Sequence, residues 1–285
     1  MADLVLVRLM NSLIGVLRLA AAANSIVLAH FVLALSGAAS AHTTSSKDPG
    51  MEGLYEDGRG VAAIAPFAEF GEGLFFIDYV SGRIGPVISK ADGFAIGNGL
   101  KDTKGEAGPL VPTAIGLDAT YDGERRAFRK IAVNREPFVV APGSVKLAGD
   151  LVRRAGIASK GVVVIVQGSN DSTRDVYGPW VYYLVARGWT VAVYDKRGSG
   201  ESTGDWRKGD FTELAADARA VGAFARGKLN LGSKPVGMLG ISQAGWVMPL
   251  AAQGGRLDFI VSLAGAAVTP AQQTLQLVEG QLQGL

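Results

Sequence analysis

The chain contains no cysteine, and its only two histidines are His30 and His42. The absence of cysteine excludes disulfide bonds, thiolate nucleophiles and cysteine-ligated metal sites. With no histidine after residue 42, only carboxylates could bind a metal ion, and they do not cluster along the sequence. Glycine-rich turns follow some strands, but Gly198-Ser-Gly200 lacks the third glycine and the helix start of a nucleotide-binding fingerprint. We therefore expect no metal and no cofactor.

Charged residues are also scarce. They make up 19% of the 285 residues, the net charge is only +2, and no long run of lysine and arginine occurs. A mixed, solvated surface explains this balance better than a nucleic-acid-binding face does. The hydrophobic fraction of 48% indicates a packed core and excludes general disorder. The length allows one large domain, or a small domain followed by a medium one.

Residues 1–41 have the features of an export signal. Arg8 and Arg18 supply positive charge, the stretch from Leu19 to Leu35 is mostly apolar, and Ala39-Ser-Ala41 has the small-residue pattern of a cleavage site. We expect cleavage after Ala41 and a periplasmic or secreted product with no stable membrane association. The alternative is a membrane anchor formed by an uncleaved signal, because the apolar stretch nearly reaches spanning length.

Residues 42–135 are predicted to form a β-rich module. Short apolar runs at Val61–Phe67, Leu74–Val80 and Ile84–Ile88 alternate with glycine-containing turns, which is typical of antiparallel hairpins. The stretch from Lys90 to Gly108 is rich in glycine, aspartate and lysine and is predicted to be loop. No catalytic constellation is visible in this module.

Residues 136–285 show a different pattern, in which strands and helices alternate. Continuous apolar, β-branched runs such as Gly161–Val166 predict strands covered on both faces. A helix is expected from Gly178 to Arg187 with Gly188 just beyond its end, and Asp210 with Glu213 predicts a capping box for the next helix. This alternation predicts an α/β fold with a doubly wound, mostly parallel sheet.

The candidate nucleophile lies in the stretch Gly240-Ile-Ser-Gln-Ala-Gly245, which connects an apolar strand to an apolar helix. A tight turn between a strand and a helix exposes the serine hydroxyl above the sheet, and small neighbours let the two elements approach each other. The pattern departs from Gly-x-Ser-x-Gly at Ala244, which is still small enough for close packing. We therefore identify Ser242 as the candidate catalytic residue.

Two further loops should lie at the same edge of the sheet, because ligands bind at the carboxyl ends of parallel strands. Gln167-Gly-Ser169 follows one strand, and Asp195-Lys-Arg-Gly-Ser-Gly-Glu-Ser follows the next. Together with the serine turn, they resemble the α/β-hydrolase superfamily, in particular its serine-aminopeptidase-like, lysophospholipase-like and dienelactone-hydrolase-like members. The resemblance covers residue 136 onward. It implies an oxyanion hole made by the backbone amides of Ser169 and Gln243, with Asp195 and Arg197 as a structural pair that fixes their loop.

The chain offers no obvious base for this serine. In the hydrolases that it resembles, an acid and then a histidine follow the nucleophile, but only Asp258 and Glu279 follow Ser242 and no histidine does. We therefore expect an exported serine hydrolase of small ester or amide substrates that lacks its acid and base, as a form truncated at the C-terminus would. The alternative is a non-catalytic relative that binds a ligand or a partner.

Overall fold

The computed structural model describes residues 50–68, 70–100, 102, 105–265 and 268–283. The expected export signal at residues 1–41 lies outside this part of the chain. Residues 50–266 form one compact unit, and the C-terminal helix belongs to a second. Among the helices that are described, none combines the length and the apolar character required to cross a bilayer.

The first half of the compact unit is a closed barrel of eight antiparallel strands. Each strand pairs with the next, and the first pairs with the last through Leu54 opposite Ile131. Alternate side chains of the strands point inward, so the barrel encloses its own hydrophobic core. The strands are β1 (Gly53–Asp57), β2 (Gly60–Pro66), β3 (Leu74–Asp78), β4 (Ile84–Lys90), β5 (Gly93–Gly97), β6 (Glu106–Pro112), β7 (Gly116–Tyr121) and β8 (Glu124–Ile131).

The prediction of antiparallel hairpins in this region is confirmed for β2, β3 and β4. The prediction of loop from Lys90 to Gly108 is wrong, because β5 and the start of β6 lie within it. Glycine is needed there for close approach: a β-carbon on Gly108 would lie 2.3 Å from the Thr120 carbonyl oxygen. Gly108, one of the glycines that indicated a loop, instead allows β6 to pack closely against β7.

The second half is a six-stranded mixed sheet in the order β14-β13-β11-β12-β10-β9. Strands β11 to β14 are parallel to one another, whereas β9 and β10 form an antiparallel pair at one side. The predicted α/β alternation is thus confirmed, but the sheet is less uniformly parallel than expected. Its strands are β9 (Val133–Val140), β10 (Leu147–Arg154), β11 (Val162–Val166), β12 (Thr190–Tyr194), β13 (Val236–Ile241) and β14 (Phe259–Leu263). The domain boundary that we placed at residue 135 falls inside β9.

Three helices connect the parallel strands, namely α1 (Gly178–Ala186), α2 (Phe211–Lys228) and α3 (Ala244–Gln253). Helices α2 and α3 pack on each other and on the central strands, while α1 contacts β10, β12 and barrel strands β1 and β2. Helix α1 ends as predicted, with Gly188 at a φ of 85°. The predicted capping box of α2 is also present, since Asp210 accepts from the Glu213 amide and the Glu213 side chain accepts from the Asp210 amide.

The fourth helix, α4 (Pro270–Gln283), belongs to the second unit. The Thr269 side chain and Gln272 exchange hydrogen bonds at its start. Leu275, Leu277 and Val278 are exposed on its surface.

Candidate active site

Ser242 lies at the turn between β13 and α3. Its φ is 56°, in the left-handed region that serine rarely adopts, and its side chain is exposed. The Ser242 amide donates to the Leu263 carbonyl at the end of β14, and its carbonyl accepts from the Gly245 amide, the two bonds holding the turn in place. A strained, exposed serine at a strand-to-helix turn is the local geometry of a nucleophile elbow.

The small residues around Ser242 have a packing reason. A β-carbon on Gly240 would lie 2.3 Å from the Ala244 Cβ and 2.8 Å from the Val166 carbonyl oxygen. Real β-carbons do not approach this closely, so only glycine fits at position 240. Ala244 is fully buried, and its Cβ lies in the space that the glycine at position 240 leaves open, so alanine fits at the second glycine position of the motif.

The loop after β11 lies beside this turn. A β-carbon on Gly168 would lie 3.9 Å from the Ser242 Cβ. The Gly168 amide donates to the Tyr177 hydroxyl at 2.9 Å, and the Gln167 side chain donates to the Tyr194 carbonyl, so both residues are fixed to buried neighbours. Ser169 follows and is exposed. Within the described part of the chain, no group accepts a hydrogen bond from the Ser169 or the Gln243 backbone amide.

Lys196 is a further candidate for a functional residue, and the sequence alone did not indicate it. Its ammonium donates to the Gly168 carbonyl at 2.7 Å and to the Gln243 Oε1 at 2.8 Å, and lies 3.8 Å from the centre of the Trp206 ring. The residue is 3% exposed. Burial lowers the pKa of Lys196 to about 7, although the Asp171 carboxylate acts in the opposite direction.

The expected pairing of Asp195 with Arg197 is wrong. Asp195 accepts from the Arg174 side chain at 2.7 Å, whereas Arg197 binds the Asp217 carboxylate at 2.7 Å and also contacts Glu213. Although Asp195 and Arg197 are only two positions apart, their partners lie in different parts of the fold. Asp195 binds the segment before α1, and Arg197 binds α2.

These two ion pairs nevertheless fix the loop. Asp195 also accepts from the Glu201 amide at 2.9 Å, and a β-carbon on Gly200 would lie 2.5 Å from its Oδ2, so glycine makes room for the carboxylate. The Arg197 partner could have been found in the sequence, because Asp217 interrupts the apolar face of α2. Burial raises the pKa of Asp217, and the Arg197 guanidinium opposes this shift. Nothing local in the sequence indicated Arg174.

The structure brings four of the residues together at the carboxyl ends of the parallel strands, namely Ser242, Gly168, Ser169 and Gln243. Asp258 does not lie with them. Asp258 precedes β14 and accepts from the Val236 amide at 2.7 Å, at the opposite end of the parallel strands. Both histidines of the chain lie outside the described residues. Within the described ranges, no cluster of histidine, aspartate or glutamate residues could hold a metal ion.

A family profile described as X-Pro dipeptidyl-peptidase (S15 family) matches residues 105–274, which is more than half of the chain. The chain belongs to the S15 family. Members of this family have the α/β-hydrolase fold, as the resemblance implied. The matched region contains the serine turn and both neighbouring loops, so all three motifs lie in the part of the chain that matches the family.

Solved structures that are similar to this S15-family chain include an esterase from Pyrococcus furiosus, at 24% identity over 41% of this chain and 43% of the esterase, with a TM-score of 0.35. A dienelactone hydrolase from Anabaena variabilis is 24% identical over 47% of this chain and 64% of its own, with a TM-score of 0.39. A proline iminopeptidase-related protein from Thermus thermophilus is 18% identical over 51% of this chain and 56% of its own, with a TM-score of 0.38.

The S15-family chain spans about half the length of the solved structures that it matches. No curated protein matches its sequence.

Proposed function

We propose that this S15-family chain carries the nucleophile and the oxyanion donors of an exported serine hydrolase that cleaves small ester or amide substrates. Ser242 is the nucleophile in this proposal, and the Ser169 and Gln243 amides bind the oxyanion. The observation that carries the proposal is the left-handed φ of 56° at an exposed Ser242, at the turn from β13 into α3. Strain of this kind costs about 1–3 kcal/mol and persists where the surrounding structure maintains it.

The chemistry follows from this position. The Ser242 Oγ attacks the substrate carbonyl carbon, its proton passes to a base, and the carbonyl oxygen becomes an oxyanion. Two backbone N–H groups that meet this oxygen stabilise the transition state, and the loss of one such donor typically lowers the rate about 100-fold or more. The Ser169 amide supports this role because it follows a glycine whose own amide and carbonyl are both bonded to buried side chains.

Among the described residues, no histidine is present to act as the base for Ser242. A serine at its ordinary pKa is a weak nucleophile, and the histidines of the chain lie at positions 30 and 42. We therefore expect the 285-residue chain to turn over esters slowly, with a residual rate from binding and the oxyanion hole alone. Added imidazole should raise the rate, because it can accept the serine proton from solution.

The test is covalent labelling by a fluorophosphonate, followed by mass spectrometry of the digested protein. We expect one adduct on the peptide that contains Ser242, with a labelling rate that rises with imidazole concentration. Ser242→Ala should remove the adduct, and Ser262→Ala, which changes an exposed serine of the neighbouring strand, should not. An adduct that survives Ser242→Ala would refute the nucleophile assignment. A wild-type chain that stays unlabelled at saturating imidazole would favour a non-catalytic binding protein.

A matched pair of variants tests the oxyanion hole. Ser169→Pro deletes the backbone N–H, whereas Ser169→Ala changes only the exposed side chain and keeps the donor. We expect the proline variant to label about 100-fold more slowly and the alanine variant to label at nearly the wild-type rate. Equal rates for the two variants would remove Ser169 from the oxyanion hole.

A further inference from the structure

The Lys196 side chain bonds to both segments that carry the proposed oxyanion donors. Its ammonium donates to the Gly168 carbonyl and to the Gln243 side chain, at 2.7 and 2.8 Å. The proposed donors are the amide that follows Gly168 and the amide of Gln243 itself. One buried cation therefore connects the loop after β11 with the start of α3.

Peptide planarity explains what the first contact does. The Gly168 carbonyl and the Ser169 N–H belong to one planar trans peptide, so the two groups point in opposite directions. Glycine has no side chain to restrict the rotation of this plane. When Lys196 binds the carbonyl on one side, the Ser169 N–H is directed to the other. The Tyr177 hydroxyl, which accepts from the Gly168 amide, fixes the preceding peptide in the same way.

The second contact acts on the serine turn. Gln243 is 8% exposed, and its Oε1 accepts a hydrogen bond from the same ammonium. Gln243 follows Ser242 directly, so a fixed Gln243 side chain restricts the backbone at the point where α3 begins. Trp206 covers the ammonium, and its indole N–H donates to Asp171 at 2.6 Å.

We propose that Lys196 is a positioning residue, which holds the Gly168–Ser169 peptide and the first turn of α3 so that two backbone amides point to the oxyanion position above Ser242. The proposal rests on the function proposed above, because it assigns a purpose to those amides. Lys196 itself is not required to contact the substrate. The charged groups that act on its ammonium are Asp171 from the loop after β11 and Arg207 from its own loop. Asp217 of α2 lines the same small cavity as Lys196.

The test compares Lys196→Met with Lys208→Met. Methionine has a similar length and no donor, and Lys208 lies in the same loop with its side chain 86% exposed. In amide NMR spectra, we expect the Ser169 and Gln243 signals to shift several times more in Lys196→Met than in Lys208→Met. This readout needs no catalysis. Ser169 and Gln243 signals that move no more in Lys196→Met than in the control would overturn the proposal.

A titration of the wild-type protein keeps the proposal testable if Lys196→Met does not fold. The Ser169 amide signal and the Lys196 Cε signal should titrate with the same midpoint, because the charge on the ammonium polarises the peptide that it binds. A Ser169 signal that stays constant through the Lys196 titration would refute the coupling.

Labelling by the fluorophosphonate then separates the two proposals. We expect Lys196→Met to label Ser242 about 10- to 100-fold more slowly at saturating reagent, with an unchanged reagent concentration at half-saturation, because an oxyanion donor acts mainly in the transition state. Unaltered labelling of Lys196→Met would count against the positioning role. A wild-type chain that is not labelled at all would refute the proposed function, and the NMR comparison would still decide whether Lys196 orients the peptide.

Discussion

At the scale of single residues, backbone strain is concentrated beside the proposed site. Four non-glycine residues of the described chain have a positive φ, namely Asp122, Asn230, Ser242 and Ala264. Asparagine and aspartate tolerate this conformation, but serine and alanine do so rarely. Ser242 and Ala264 follow the adjacent strands β13 and β14, and the Ser242 amide bonds to the Leu263 carbonyl next to Ala264. The strained residues therefore lie at the carboxyl ends of two adjacent parallel strands, where a functional constraint would maintain the strain.

The charge on Lys196 should make stability depend on pH. Burial lowers its pKa from 10.5 to about 7 in the folded protein, so between these values the unfolded chain binds the proton and the folded chain does not. The free energy of unfolding therefore rises with pH across this interval, and the unfavourable contribution of the buried cation is complete below about pH 7. We expect the stability of wild type relative to Lys196→Met to increase from about pH 7 to about pH 10.

Chemical denaturation at several pH values measures this difference. Lys208→Met, whose lysine is exposed, is the control and should run parallel to wild type. A constant difference between wild type and Lys196→Met across the whole interval would show that the ammonium is not desolvated in the folded state.

At the scale of elements, the close contact between β13 and α3 depends on the glycine at position 240, which has no side chain. Gly240 faces the Ala244 Cβ, the Val166 carbonyl and the Met248 sulfur, all within 3.2 Å of where its own β-carbon would be. Gly240→Ala should therefore push α3 away from the sheet and destabilise the protein by about 1–3 kcal/mol. Because Gln243 lies at the start of this helix, labelling of Ser242 should fall as well.

Gly227→Ala is the matched control for this prediction. Gly227 lies near the end of α2 with open space around it and without a positive φ. Alanine there should stabilise the protein by about 0.5–1 kcal/mol, since it has the better helix propensity. Thermal unfolding followed by circular dichroism compares the two. A Gly240→Ala protein as stable as wild type would show that α3 does not press on the strand.

Much of this element structure could be predicted locally. The β-branched run of β11, the capping box of α2 and Gly188 after α1 each have a short-range physical cause that the sequence displays. The closure of the barrel could not be predicted, because it depends on Leu54 lying opposite Ile131, a pairing that no local pattern encodes. The partner of Asp195 was missed for the same reason, since Arg174 lies 21 residues away in sequence and meets it only in the fold.

At the scale of the whole molecule, the two edges of the mixed sheet differ. Strand β9 carries Arg135, Glu136 and Pro137, the kinds of residue that discourage pairing with another chain. Strand β14 reads Phe-Ile-Val-Ser-Leu, and within the described residues it pairs only with β13. Ile260 is 37% exposed on this strand. An uncharged, apolar edge of this kind favours self-association.

We expect Ile260→Lys to reduce self-association of the protein, because a charge on β14 opposes edge-to-edge pairing. Sedimentation velocity over a concentration series measures the effect. Val139→Lys places the same charge on the opposite edge strand, where Val139 is 64% exposed, and should change the distribution little. Identical distributions for wild type and both variants would mean that β14 is not the contact.

Export is a prediction at the same scale. If residues 1–41 are a cleaved signal, mass spectrometry of the protein from a periplasmic or culture fraction should find His42 as the first residue. The replacement of Ala39 and Ala41 by bulky residues should block this cleavage. A protein that retains its first residues in the cytoplasmic fraction would contradict export.

The closed barrel also affects the order in which the chain folds. All strand pairs from β1 to β8 join neighbours in sequence, except the pair that closes the ring. The parallel strands of the sheet instead pair only after a helix has crossed between them, which requires longer loops to close. Short-range pairing is fast, and synthesis delivers residues 53–131 before any residue of the sheet. The barrel can thus be complete on the ribosome while β13, the strand before Ser242, has yet to be made, and α1 would then dock onto a preformed surface.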